Sequence, residues 1–299
     1  MRAVVLAVFA VLAAAATAHA TYPGRDGRIA FFVATGCPRY DEPSATCAAR
    51  RFSALRTISP AGRGIVDVVR CPGARCIPGF GPGLAYAPDG RRLAVGVAPD
   101  PASGAPPQVA ILRTDGSVVR RVTLPVPAND ADRPWLPGWP TTVSARSPTG
   151  DVAIVRPHGI SVVERRTGAR RLILEDSGHY LYEAPDWSPN GRRLAVIRRD
   201  LQTFLDAIVT VAAGGAHRHV VVRRIGEIAP LRRVVWSPSG TRIAFTTGGD
   251  QNEGGLYTVR TDGARLRKIF DVASLVGDLG EFTASIGSDL AWQPLGGSG

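Results

Sequence analysis

The feature that most constrains this chain is a turn that keeps returning. Asp186 to Val196 reads Asp-Trp-Ser-Pro-Asn-Gly-Arg-Arg-Leu-Ala-Val. Pro189 sets φ for the first central position of a β-turn, and Asn190-Gly191 tolerate the positive φ needed to leave it. Trp187 precedes the turn and Leu194-Ala195-Val196 follow it, so the flanks read as buried strands of one hairpin. The unit recurs as Trp236-Ser237-Pro238-Ser239-Gly240 before Ile243-Ala244-Phe245. It recurs again as Tyr86-Ala87-Pro88-Asp89-Gly90 before Leu93-Ala94-Val95, and more loosely as Ser147-Pro148-Thr149-Gly150 before Val152-Ala153-Ile154.

Two fragments complete the pattern. Asp26-Gly27-Arg28-Ile29-Ala30-Phe31 is a second half without its first strand, and Leu290-Ala291-Trp292-Gln293-Pro294 is a first strand without its second half. Complementary halves at the two ends predict an array that closes on itself, whereas an open solenoid would need polar caps. An offset series of outer turns falls at Gly62, Gly116, Gly168, Gly215 and Gly263, alternating with the inner turns at Gly27, Gly90, Gly150, Gly191 and Gly240. Thr114-Asp115-Gly116 and Thr261-Asp262-Gly263 are the tightest of the outer set. Alternation without a gap gives four strands per repeat. Four antiparallel strands repeated radially predict a single all-β propeller with five blades counted, its N- and C-terminal strands paired. Trp187, Trp236 and Trp292 share one phase and are expected in the core between blades. Helix-length patterns are nearly absent; the best candidate is Asp271 to Leu279, and it is short.

The ends of the chain carry a different signal. Met1 to Ala20 has Arg2, an apolar run from Ala3 to Ala16, and Ala18-His19-Ala20 before Thr21. This pattern reads as a signal peptide cleaved after Ala20, leaving residues 21–299 as the propeller domain. The protein is then exported, to a periplasmic, cell-wall or extracellular location, and no later segment is long and apolar enough to span a membrane.

The repeated turn unit, as in Trp236-Ser237-Pro238-Ser239-Gly240 with Ile243-Ala244-Phe245 and the Thr261-Asp262-Gly263 hairpin after it, resembles the Trp-Ser-Pro-Asp-Gly-x-x-Ile-Ala-Phe repeat of the TolB-type propellers. The resemblance covers nearly the whole chain after residue 20. It implies a propeller, leaves six blades open beside the five counted, and implies an interacting role in the cell envelope. The α/β domain that precedes the propeller in that family has no counterpart here, because the repeats begin within a few residues of Thr21.

Four cysteines, Cys37, Cys47, Cys71 and Cys76, fall in the first repeat. In an exported chain an even number reads as disulfides, and the local pairs Cys37–Cys47 and Cys71–Cys76 are expected among three possible connectivities. A four-thiolate zinc site is the alternative, but its paired Cys-x-x-Cys knuckles are missing.

The formal net charge is +11, and arginine supplies nearly all of it because Lys268 is the sole lysine. The arginines come as dispersed pairs, not one block. That favours a solvated surface over an anionic-polymer partner, and export argues against nucleic acid. Catalytic patterns are thin: there is no Gly-x-Ser-x-Gly and no His-Glu-x-x-His. His217 and His219 stand two apart and would share one face of a strand. Asn129-Asp130-Ala131-Asp132 and Asp250-Gln251-Asn252-Glu253 are oxygen-rich without calcium-loop spacing and read as exposed turns. Arg133, Trp135 and Trp139 sit in a Pro-rich loop outside the structural phase and are the candidate contact residues.

These observations favour a non-catalytic, monomeric binding or scaffold module without a cofactor, whose partner is an envelope protein or peptide. The alternative is a small-molecule hydrolase or lactonase with a metal at the ring axis. It would need several Asp, Glu, Asn or His converging from inner strands that offer mostly Trp, Ala, Val and Leu.

Overall fold

The structure, a computed structural model, describes residues 21–36, 52–72, 80–97, 108–123, 144–156, 159–223, 230–248, 254–275 and 283–296. They form five four-stranded antiparallel sheets. Blade one contains β1 (Arg25–Gly36), β2 (Phe52–Ile58), β3 (Val66–Pro72) and, as its innermost strand, β20 (Thr283–Leu295). Blade two runs β4 (Phe80–Tyr86), β5 (Arg92–Val97), β6 (Gln108–Arg113), β7 (Val118–Thr123). Blade three runs β8 (Ser144–Arg146), β9 (Val152–Arg156), β10 (Gly159–Val163), β11 (Arg170–Glu175). Blade four runs β12 (Tyr180–Trp187), β13 (Arg193–Asp200), β14 (Asp206–Ala212), β15 (His219–Val222). Blade five runs β16 (Leu231–Trp236), β17 (Arg242–Gly248), β18 (Gly254–Arg260), β19 (Arg267–Asp271).

The expected closure is present. β20 pairs antiparallel with β1, placing Trp292 opposite Ile29, Ala291 opposite Ala30 and Leu290 opposite Phe31. The indole of Trp292 donates to the Gly27 carbonyl at 3.1 Å, and Gln293 Oε1 accepts the Arg28 amide at 3.0 Å. The first blade is thus built from both ends of the chain, and the count of five blades holds among the described residues.

The repeat's residue types explain the hairpins. In four of the five expected inner turns a glycine amide returns to the carbonyl three residues back: Gly90 to Ala87, Gly150 to Ser147, Gly191 to Ser188 and Gly240 to Ser237. The fifth expected turn residue, Gly27, lies within β1 instead, where the strand runs on toward β20. The serine before the proline has a second task. Its hydroxyl accepts the amide that restarts the strand, Arg193 to Ser188 at 2.9 Å and Arg242 to Ser237 at 3.1 Å. Short side-chain acceptors of this kind satisfy backbone donors that a turn would leave unpaired.

Glycine is required at Gly90 and Gly116 for the contact between blades. Both have positive φ, and a Cβ there would stand 1.9 Å from the carbonyl oxygens of Pro294 and Val68 respectively. These turns of blade two press on blade one, so the glycines permit both the turn and the blade contact.

Four hydrophobic clusters straddle neighbouring sheets. They join blades one and two, three and four, four and five, and five and one. Trp187 is fully buried in the cluster between blades three and four, and its indole donates to the Ala145 carbonyl at 3.0 Å. Phe245 stacks on Tyr257 with centroids 5.1 Å apart in the next cluster, an arrangement worth about 1 kcal/mol beyond its buried area. Pro189 and Pro238 are buried, as Trp236 and Trp292 are, whereas Pro88 is exposed at its turn.

Of the expected helix over Asp271 to Leu279, a single 3-10 turn at Val272–Leu275 is seen, following β19 directly. No helix among the described residues is long and apolar enough to cross a membrane.

Candidate functional site: a basic groove beside a carboxyl on the ring axis

Two features stand out from the repeat. The first is a groove of about 580 Å³ between blades four and five, within the size range of ligand sites. Blade four contributes Arg193, Thr210 and His219 from its strands, with His217 and Arg218 from the β14–β15 connection. Blade five contributes Trp236, the inner turn at Gly240, and the outer turn at Thr261 and Asp262.

The local sequence sets this geometry. Ala212 and Gly215 form the outer turn, and His217 lies beyond it at φ 52, in the left-handed region. His217 and His219 therefore do not share the face of one strand, as their spacing predicts. His217 belongs to the turn and His219 opens β15, yet both line the same groove. Arg193 Nη2 donates to Thr210 Oγ1 at 2.9 Å and to the His217 carbonyl at 3.0 Å, which fixes the turn against the blade. His217, Arg218 and His219 are exposed.

One carboxylate faces them. Asp262 accepts the Ala264 amide at 2.9 Å and the Arg260 guanidinium at 3.0 Å, and these contacts hold it below the usual carboxylate range. With Asp262 already bound to Arg260, the groove's free charge is cationic. Its floor is unusual too. Trp187 and Trp292 each hydrogen-bond a carbonyl through the indole nitrogen, but Trp236 Nε1 is buried without a partner.

The second feature is a narrow cavity where innermost strands of four blades converge, with room for about one water molecule (≈ 20 Å³). Its wall includes Ala85 of β4, Asp186 of β12, Val235 of β16 and Ala291 of β20. Each of these residues precedes the aromatic residue of its repeat unit. Asp186 is the carboxyl among them, and it is 1 % exposed. Its Oδ2 accepts the Trp236 amide at 2.7 Å and the Thr21 hydroxyl at 3.3 Å. Thr21 and Tyr22 enter the same cavity, and the Thr21 hydroxyl also reaches the Trp236 carbonyl at 3.1 Å. Burial pushes the Asp186 carboxyl up to about 7, against the pull of the Trp236 amide and of Arg233. Arg233 of β16 is 3 % exposed, and its Nε and Nη2 are buried without hydrogen-bond partners.

Sequence reasoning passed over this pair. Asp186 opens the best copy of the repeat, but nothing local shows that the position before the tryptophan faces the axis. The signal was available: the matching positions in the other blades are Ala85, Ala145, Val235 and Ala291, so a carboxyl there breaks an apolar column.

The other expected site residues cannot be placed. Arg133, Trp135 and Trp139 lie outside the described residues, as do Cys37, Cys47 and Cys76 and the two oxygen-rich loops. Cys71 is described only by its backbone, opposite Ser53 in the β2–β3 pair. Among the described residues no three His, Cys, Asp or Glu side chains gather as a metal site would require. Two further carboxyls stand on innermost strands: Glu183 of β12 lies 3.9 Å from Arg199, and Asp289 of β20 accepts the Gly83 amide at 2.7 Å and ties that strand to blade two.

No family model matches the chain, and no curated protein does. Among solved structures the chain is similar to TolB from Acinetobacter baumannii, at 12% identity over 90% of this chain and 67% of that one, with a TM-score of 0.39. It is similar to an oligogalacturonate lyase from Vibrio parahaemolyticus at 13% identity over 77% of this chain and 64% of the other, with a TM-score of 0.37. It is also similar to the isopeptidase AtxE2 at 12% identity, with a TM-score of 0.46, and spans 52% of that protein's length. On its own geometry the chain is an all-β propeller of four-stranded blades, with a repeat that resembles the TolB type.

Proposed function

We propose that residues 21–299 form one exported, non-catalytic propeller domain, and that it binds the acidic face of a protein or peptide partner in the groove between blades four and five. One observation carries the reading: two arginines and two imidazoles line a groove whose sole carboxylate is already bound to Arg260. Charge complementarity of this kind steers association and fixes which partner fits. Arg218 and His219 are exposed at its rim, where a ligand can reach them. Export rests on the Met1–Ala20 pattern, and the dispersed arginine pairs remain a solvated surface in this reading.

The test is binding of a fluorescent octaglutamate peptide at low salt, with octalysine as control. Arg218→Glu together with His219→Glu should weaken octaglutamate binding at least tenfold and leave the melting temperature unchanged. Equal affinity for the wild type and the double variant would remove the groove from consideration.

A further inference from the structure

We propose that Asp186 is the receptor for the amino terminus created when the chain is cleaved between Ala20 and Thr21, and that the resulting ion pair pins that terminus into the ring axis. The inference rests on the leader reading of Met1–Ala20 and is independent of the groove.

The chemistry is hydrolysis. Water adds across the Ala20–Thr21 peptide bond, in a reaction catalysed by a leader peptidase. Ala20 leaves as a carboxylate, and Thr21 keeps the nitrogen as an ammonium. A neutral amide nitrogen thereby becomes a cation with three donors.

Its position is already fixed. Thr21 is 7 % exposed, and its hydroxyl bonds Asp186 Oδ2 at 3.3 Å and the Trp236 carbonyl at 3.1 Å. The Thr21 nitrogen lies three covalent bonds from that hydroxyl oxygen, so the cation forms within about 7 Å of the carboxylate. Few chain termini are held this way; most are loose unless tied down.

Asp186 needs such a partner. A fully buried carboxylate without a bonded cation is costly, and this one receives the backbone amides of Trp236 and Trp187 and a hydroxyl, all neutral donors. Arg233 faces it through space, but its Nε and Nη2 make no hydrogen bond. Burial outweighs these influences and leaves the carboxyl about half protonated near neutrality. The other titratable groups on the cavity wall, Tyr22 and Tyr86, bring no cation. An ammonium arriving from Thr21 supplies the charge and the donors together. The other blades present Ala85, Val235 and Ala291 to the cavity, so the docking point is unique among the residues that line it.

The sequence offers a direct readout. Lys268 is the only lysine, so a chain that starts at Thr21 has two amines in all. Lys268 is exposed on β19, with its Nζ 2.8 Å from Asp271. Three versions should be made by cleaving a fusion: a chain starting at Thr21, the same chain acetylated at Thr21, and a chain with Gly-Ser before Thr21. Each is also made with Asp186→Asn.

At pH 7.5 the free Thr21 chain should melt several degrees above the other two. At this pH a one-unit rise in the ammonium's pKa lowers the reactive neutral amine about sevenfold, so an amine-reactive ester should label Thr21 at least fivefold more slowly than an unstructured terminus. Asp186→Asn should abolish the melting advantage and restore fast labelling. Equal melting of the free and acetylated chains overturns the proposal, and this comparison holds even if Asp186→Asn fails to fold. Labelling of Thr21 that ignores Asp186→Asn overturns it too, as does N-terminal sequencing of the exported chain that finds a start other than Thr21.

Discussion

Blades four and five carry near-identical copies of the repeat, Asp186-Trp187-Ser188-Pro189-Asn190-Gly191 and Val235-Trp236-Ser237-Pro238-Ser239-Gly240. Their turns are superimposable in bonding: each glycine returns to its serine carbonyl, and each serine hydroxyl accepts the next strand's amide. They differ where the repeat makes no demand. Blade four puts a carboxyl on the axis where blade five puts a valine. Trp187 bonds the Ala145 carbonyl, whereas Trp236 keeps a buried N–H unmet beside the groove. The repeat's turns bond alike in both blades, whereas the axial position and the indole partners differ between them. The predictions below press on that division, from the largest effect to the smallest.

Removing everything from Leu290 onward deletes the half of β20 that the repeat dictates. It strips Arg25, Asp26, Ile29, Ala30 and Phe31 of β1 of their inner partners and empties Leu290 and Trp292 from the cluster between blades five and one. The loss should exceed the whole stability of a typical domain, about 5–15 kcal/mol, and give no cooperative melt by circular dichroism. A truncated chain that melts like its parent would sink the closure.

Asp186 comes next and should show itself through pH. In a chain that retains residues before Thr21, its folded pKa of about 7 lies above the ordinary 3.8. The folded state therefore binds more protons between those values, and stability falls as pH rises through about 4 to 7. At roughly 1.4 kcal/mol per unit, the fall totals about 4 kcal/mol. Arg233 limits it by favouring the carboxylate. Exposed carboxylates held low, such as Asp200 and Asp262, act in the opposite sense at lower pH. The difference between wild type and Asp186→Asn isolates the term: denaturant midpoints of the variant should be flatter across pH 4–7. Parallel profiles would show that the carboxyl is not held up.

The tryptophans should separate by a smaller amount. Trp187→Phe loses packing and strands the Ala145 carbonyl, costing about 3 kcal/mol, while Trp236→Phe removes no hydrogen bond and costs about 1–2 kcal/mol. Urea midpoints order the two. If Trp236→Phe is the worse, its N–H has a partner and the contrast between the blades fails.

At the bottom of the scale, Arg218→Glu alone should shift stability by less than about 0.5 kcal/mol, as an exposed substitution does. Its octaglutamate affinity should still drop severalfold, with the remaining binding more weakly dependent on salt.

The hairpins, the blade count and the terminal pairing were legible because each rests on local chemistry repeated in phase. Pro-x-Gly turns and short apolar strands announce themselves within ten residues. Asp186 was not legible as a site, since its partners Trp236 and Thr21 reach it only after the ring brings blade five and the chain start to the axis. His217 and His219 were noticed for their spacing but read on the wrong element. A period of two assumes extended backbone, and the left-handed residue at His217 breaks it. The 3-10 turn at Val272–Leu275 shows the same limit, because a short apolar stretch does not declare its length. The Trp135–Trp139 loop and three of the four cysteines fall outside the described residues, so those expectations stand as proposals.

The composite first blade has a consequence for how the molecule comes into being. Trp292 closes onto Gly27 across 265 positions of sequence. Loop-closure entropy grows only logarithmically with such a span, so its thermodynamic cost is modest, but the contact is strongly non-local. During synthesis, β1 emerges among the first strands and its partner among the last. For that interval β1 presents an unpaired, strongly apolar inner edge, the kind that recruits strands from other chains. The time to complete the chain, more than its final stability, sets how long it must be shielded.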